Sequence, residues 1–257
     1  MNFLKQYVVD LLNSYRLGKK VYQDEFFKKT AQLSSLEHTK SPRRTHIINY
    51  LVSLINAQNY LEIGVRDPKK NFVRIQCRNK FSVDPGIEYK DNPVDFKMTS
   101  DLFFEHLKND KLKIASDVKF DVIFIDGLHM SNQVERDIRN SLEFLTAEGF
   151  IILHDCNPPS EYHQRETYDF VMSPARSFWS GTTWKAFYKF RHRQDLYSIC
   201  FDCDWGVGII SKKQYPFLNN INDKIQNKFY EFAVLNELRK EHLNLYSFEQ
   251  WVELIKK

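Results

Sequence analysis

The chain has 257 residues, 42% of them hydrophobic and 27% charged, and a formal net charge of +4. That balance matches ordinary globular usage and excludes a disordered or fibrous chain, and no apolar run approaches the roughly 20 residues that span a bilayer. The basic pairs at 19–20, 28–29, 43–44 and 69–70 are dispersed, which predicts solvated surface and no nucleic-acid partner.

From the amino terminus, Phe3, Leu4, Tyr7, Val8, Leu11 and Leu12 recur at helical spacing, interrupted by Lys5, Gln6 and Asp10. This reads as an amphipathic helix and not as a signal peptide. A charged helical segment follows at 22–36. Ser41-Pro42 then opens a third helix over 44–55, with Ile47, Ile48, Leu51, Leu54 and Ile55 as its apolar residues. Beyond it, short apolar runs alternate with helical stretches, as βαβ units require. Strands are predicted at 60–63, 80–83, 121–125, 150–153, 196–200 and 207–210, with helices at 102–107 and 133–145. The runs at 122–125 and 150–153 are apolar without alternation, as in parallel strands covered on both faces. Only 201–206 separates the last two strands, short enough for a hairpin, so the sheet is expected to end with an antiparallel strand.

From 222 the pattern returns to helix, with Phe229, Phe232, Leu235, Leu238, Leu243, Trp251 and Leu254. Packing within the chain's own core is the favoured reading of this stripe, and a homodimer face is the other. Cys77, Cys156, Cys200 and Cys203 are too few and scattered for a disulfide scaffold, which predicts a reducing, cytoplasmic setting. Cys200 and Cys203 have the spacing of a redox or zinc pair, but no second pair completes a site, so they read as structural. The expected organisation is one domain: a helical cap over 1–57, a core over 58–213 and a helical extension over 214–257.

Two features of the core suggest a bound nucleoside. Tyr60-Leu-Glu62-Ile-Gly64 is a strand running into a turn with a glycine, where a ligand can approach the backbone closely. Asp84 ends the next strand, twenty-two residues after Glu62, an offset at which an acid can accept hydrogen bonds from a ribose. The plainer reading is that Gly64 ends a strand and that Asp84, before Pro85-Gly86, opens a turn.

With Ser82-Val-Asp84-Pro85, the run from Phe120 to Asp126-Gly-Leu-His129, and Gly149-Phe-Ile-Ile-Leu-His154-Asp155, the chain resembles class I S-adenosylmethionine-dependent methyltransferases. It is closest to a bacterial group with small-molecule and sugar acceptors. The resemblance spans about 58–212. It implies an α/β, Rossmann-like fold: a seven-stranded, mostly parallel sheet with a terminal antiparallel strand and helices on both faces. It also implies S-adenosylmethionine as cofactor, with Glu62 and Gly64 beside its methionine part, Asp84 on its ribose and Ser100 and Asp101 on the adenine side. Asp126 is counted with these cofactor-binding residues. One departure stands out: Arg66 and Pro68 occupy the later glycine positions of the loop. That suits a cofactor without a pyrophosphate and argues against a nicotinamide dehydrogenase.

Asp126 and Asp155 should emerge from neighbouring strands about 4.8 Å apart, where one Mg²⁺ could bind both carboxylates. Related O-methyltransferases have an acid or amide directly after the second aspartate; here Cys156 stands there, a poor ligand for a hard ion, and Asn157 is the substitute. Without a metal, a base must take the acceptor's proton, and His129 and His154 are both placed for it, with Asp155 as the orienting acid. Trp179, Thr182, Trp184 and Lys185 suit a wall or lid for a sugar ring, or else a surface helix with two buried tryptophans. The reading is an O-methyltransferase for a small polyhydroxylated acceptor, a sugar or nucleotide-activated sugar for bacterial surface polysaccharide, as the resemblance implies. Its rivals are a non-catalytic binding protein of the same fold and an RNA or N-methyltransferase.

Overall fold

All six predicted strands form, and a seventh joins them. The computed structural model describes residues 3–89, 91–170, 172–216, 218–221 and 227–255. Three helices come first: α1 (Phe3–Gln23), α2 (Glu25–Thr39) and α3 (Arg44–Leu54). The sheet is built from β1 (Asn59–Ile63), β2 (Asn79–Val83), β3 (Phe120–Ile125), β4 (Leu145–Leu153), β5 (Tyr197–Phe201), β6 (Val207–Ser211) and β7 (Leu245–Tyr246). Between and after the strands lie α4 (Ser100–Lys108), α5 (Ser131–Phe144), α6 (Thr183–Arg191), α7 (Phe232–Glu237), α8 (Arg239–Leu243) and α9 (Phe248–Ile255).

The strand order is β2-β1-β3-β4-β6-β5-β7. β2, β1, β3 and β4 run parallel, and β6 inserts antiparallel between β4 and β5. β7 is the unforeseen strand: it pairs parallel with β5 from a region read as helix throughout. The predicted helix start at 222 lies outside the described residues.

Alternation along each strand sorts its side chains onto two faces. Leu61, Ile63, Ile123, Ile125, Ile151 and Leu153 pack with Phe103 and Phe104 of α4, Val134 and Ile138 of α5 and Trp184 and Phe187 of α6. Tyr60, Val122, Phe124, Phe150 and Ile152 pack on the other face with Ile47, Ile48 and Leu51 of α3 and Phe248 and Trp251 of α9. The carboxyl-terminal stripe therefore joins the chain's own core at Leu235, Leu243 and Trp251, while Phe229 is exposed. All four cysteines are free. Among the described residues no helix is long and apolar enough to cross a membrane.

After β1 the chain passes to β2 on one side and later to β3 on the other, so the order reverses between β1 and β3. A crevice opens at such a switch point, outside the carboxyl ends of the strands.

Candidate active site

Gly64 and Asp126 face each other across that crevice. Gly64 has φ +89, and a Cβ there would lie 2.3 Å from the Asp126 carbonyl oxygen, so only glycine lets the two strand ends close. The Gly64 N–H donates to the Val83 carbonyl at 2.9 Å, which sets Asp84 beside it. Asp84 is half-buried, and its Oδ1 accepts from the Gly86 N–H at 2.6 Å, an Asx turn of the kind the plainer sequence reading expects.

Glu62 shares a face of β1 with Tyr60, two residues back. Its Oε2 accepts from the Tyr60 hydroxyl at 2.6 Å and from Asn71 Nδ2 at 2.9 Å, and Thr45 of α3 donates to Asn71 Oδ1 at 2.7 Å. Burial pushes the Glu62 carboxyl up to about 7 although both donors oppose it.

Ser100 and Asp101 are tied into the α4–α5 seam. The Ser100 hydroxyl donates to Asp137 Oδ1 at 2.6 Å, and Asp101 pairs with Arg136 at 3.2 Å.

The dense part of the site lies at the ends of β3 and β4. His154 Nδ1 is 3.0 Å from both Asp126 Oδ1 and Asp155 Oδ2. His129 lies 3.3 Å from Asp126 through Nε2 and 3.1 Å from Asp155 through Nδ1. Burial lowers the basicity of both imidazoles, but the facing carboxylates override it and raise their pKa values, for His154 well above the usual histidine range.

Two residues missed in the sequence complete the cluster. Arg44 Nη1 donates to His154 Nε2 at 3.0 Å and to Asp204 Oδ2 at 3.1 Å, and its Nε is 3.6 Å from Asp126 Oδ2. Arg43 also pairs with Asp204, at 2.9 Å, so the basic pair expected on solvated surface is instead neutralised at the site. An arginine that donates to Nε2 fixes neutral His154 as the Nδ1–H tautomer.

Local backbone strain aims these groups. Asp155, Asp204 and Trp205 all have positive φ, at 59, 45 and 66. Non-glycine residues hold that conformation at a cost of about 1–3 kcal/mol each, and such strain concentrates at functional sites. Gly206 lets the β5–β6 turn meet the segment after β4: Cys156 N–H donates to the Gly206 carbonyl and Asn157 N–H to the Trp205 carbonyl, both at 2.9 Å.

Residues 56–156 match a family model described as a methyltransferase domain. The matched stretch carries β1 to β4 and the strand ends that hold Asp126 and His154, within a Rossmann-like sheet. No curated protein matches it in sequence. Similar solved structures include an O-methyltransferase from Bacillus cereus in complex with SAH (15% identity, 76% of this chain and 95% of that one, TM-score 0.44). Another is the O-methyltransferase TomG from Streptomyces achromogenes, involved in tomaymycin synthesis (14%, 82% and 99%, 0.47). A third is a putative caffeoyl-CoA O-methyltransferase from Staphylococcus aureus (16%, 81% and 99%, 0.43). These are likenesses of shape, and no acceptor follows from them.

The candidate acceptor residues divide. Trp179 is half-buried and stacks on the His129 ring, centroids 5.2 Å apart and planes at 18°. Thr182 and Trp184 do not form a wall. The Thr182 hydroxyl accepts from Ser131 N–H at the start of α5, and Trp184 is fully buried with its Nε1–H on Gln164. Lys185 is half-buried on α6. Gly181 (φ +58) presses against the His129 carbonyl, 2.1 Å from where a Cβ would stand, and the Thr182 N–H donates to that same carbonyl at 2.7 Å.

Asp126, His154 and Asp155 offer three ligand atoms within 4.8 Å of one another. His154 Nδ1 is buried and, despite its short distances, has no partner in hydrogen-bond geometry. With neutral imidazoles, the three carboxylates against Arg43 and Arg44 leave a net negative charge, which a buried cluster must offset with a proton or a cation. The two carboxylates suit a cation, and His154 would join them as third ligand, where the sequence reading offered Asn157, only by giving up the Nδ1 proton that the Arg44 contact assigns to it. Asn157 is turned away to Asp202 and Arg239, and burial holds the Cys156 thiol well above its usual range. An imidazole donor moves the preference from Mg²⁺ toward ions that accept mixed nitrogen and oxygen ligands.

Proposed function

We propose that this protein moves the methyl group of S-adenosylmethionine to a hydroxyl of a small polyhydroxylated acceptor, of the sugar or nucleotide-activated sugar class. The observation that carries this reading is His129, held between Asp126 and Asp155 and covered by the ring of Trp179. An alkyl alcohol is a weak nucleophile until a base takes its proton. Of the two imidazoles, His154 has Nε2 engaged by Arg44, whereas His129 is the more exposed and borders the lid. Asp126 and Asp155 face its two ring nitrogens, and against burial their charge raises the basicity of the imidazole that would take the proton. Asp155 then stabilises the imidazolium.

The apolar face of a sugar ring suits the Trp179 indole, whose Nε1–H is already held by the Arg165 carbonyl at 2.6 Å. Among the described residues from 154 to 182 there is no helix or strand, and loops of such length are commonly lids or binding loops. Glu62, Gly64 and Asp84 form the cofactor side. A divalent ion, if held by Asp126, His154 and Asp155, would supply positive charge against the acceptor oxygen. A role in bacterial surface polysaccharide rests on the sequence resemblance.

Calorimetric titration with S-adenosylhomocysteine tests the cofactor, and methyl transfer to sugar nucleotides, catechols and RNA tests the acceptor. Micromolar binding and transfer to sugar nucleotides are expected. Turnover of RNA alone would overturn the acceptor class, and no cofactor binding would overturn the activity.

A further inference from the structure

The α1 helix has no buried residue in its 21 positions; it packs against α2, and its Tyr22 ring meets Arg176. A helix of this length does not hold itself together well in water, and most helical stability comes from packing an apolar face. Such a face exists. Leu4, Tyr7, Val8, Leu11, Leu12 and Tyr15 lie on one half of the helix, all between 46% and 70% exposed. On its other side and along its borders stand Lys5, Arg16, Lys19 and Lys20, with the exposed Val9 and Leu17 among them, against Asp10 as the helix's single acid.

Charge decides what covers this stripe. Leu4, Val8, Leu11, Tyr15 and Tyr22 follow the three-four spacing of a coiled-coil seam, with Gly18 filling a seam position. In a second copy, the positions flanking the seam should carry opposite charges. Here an antiparallel pair would bring Lys5 against Lys19, and a parallel pair would set Lys19 against Ser14. Neither supplies an acid. A broad apolar face with aromatic residues and a cationic remainder has instead the composition of a helix lying in a membrane interface.

We infer that α1 docks the protein onto an anionic lipid surface, its apolar stripe in the headgroup boundary and its cations among lipid phosphates. The helix lies on the bilayer and does not cross it, consistent with its hydropathy. Its carboxyl end adjoins the lid, because the Arg176 guanidinium sits over the Tyr22 ring at 4.6 Å. Docking therefore places the acceptor entrance near the lipid surface. This inference does not depend on the identity of the acceptor.

The test is co-sedimentation of the full chain with vesicles of phosphatidylglycerol or of phosphatidylcholine. Binding to the first at least tenfold tighter than to the second, and weakened by salt, is expected. Each of Lys19→Gln and Lys20→Gln should weaken it about fivefold, since a cation near an anionic surface contributes about 1 kcal/mol. Leu11→Glu should abolish binding with an unchanged thermal midpoint, because no α1 side chain is buried. No binding to phosphatidylglycerol, or equal binding to both lipids, overturns the inference. So does a dimer in light scattering that Leu11→Glu converts to monomer while vesicles are ignored.

Discussion

Arg44 Nη1 lies 3.0 Å from His154 Nε2, joining the first turn of α3 to the end of β4 across 110 positions of sequence. The same guanidinium reaches Asp204 and approaches Asp126, so it is the fixed cation of the cluster. Arg44→Ala should destabilise the fold by about 3 kcal/mol, the cost of leaving buried carboxylates without their partner. Arg44→Lys should recover little of it, because a point charge cannot bridge three acceptors as a planar fork does. Urea unfolding at pH 7 measures both; a full recovery by lysine would show that charge alone matters.

His129 and His154 are expected to differ in kind. Loss of a general base costs a factor of about 10²–10⁴ in turnover. His129→Ala should show that loss with affinity for S-adenosylhomocysteine within twofold of the parent. Nearly unchanged turnover in this variant would move the base elsewhere.

Glu62 gives cofactor binding a pH dependence. Its carboxyl is pushed up to about 7, so below that pH the free protein holds it neutral. The ammonium of the cofactor's methionine part favours the ionised carboxylate. Affinity should therefore fall by up to about tenfold per pH unit below 7 and level off above it. Glu62→Gln should bind weakly and without this dependence. Titrations between pH 6 and 8 that show constant affinity for the parent chain would remove Glu62 from the cofactor site.

Asp137 bears on stability alone. Burial raises its carboxyl from 3.8 to about 6, against hydrogen bonds from Ser100 and Gln133. The folded chain thus binds more protons than the unfolded chain between those values. Its contribution to stability is largest below pH 3.8 and is lost as pH rises through 6, by at most about 3 kcal/mol. Asp137→Asn should stabilise the chain relative to the parent more at pH 7.5 than at pH 4.5. Paired urea midpoints at the two pH values check the sign.

The strands were legible where burial on both faces writes an uninterrupted apolar run, as in 122–125 and 150–153. The positions of Gly64, Asp84, Asp126 and Asp155 after strand ends were legible, and Glu62 falls within β1 as the predicted strand has it. β7 was not, since two residues between short helices leave no periodic signal. Arg44 and Asp204 were hidden for a different reason: their partners lie 110 and 160 positions apart, and a basic pair looks the same whether solvated or buried. Of the two sequence readings of Trp184, the structure bears out the buried one, as the helical spacing of Trp184, Phe187 and Tyr188 in a core stripe allows.

The contact between Gly181 and the His129 carbonyl ties the end of the 154–182 loop to the backbone of the proposed base. On that proposal the wall and the base would share one anchor. On the proposed reading, sequence change at 179–182 would disturb proton removal along with recognition, and acceptor range would be set by parts of the loop away from that anchor.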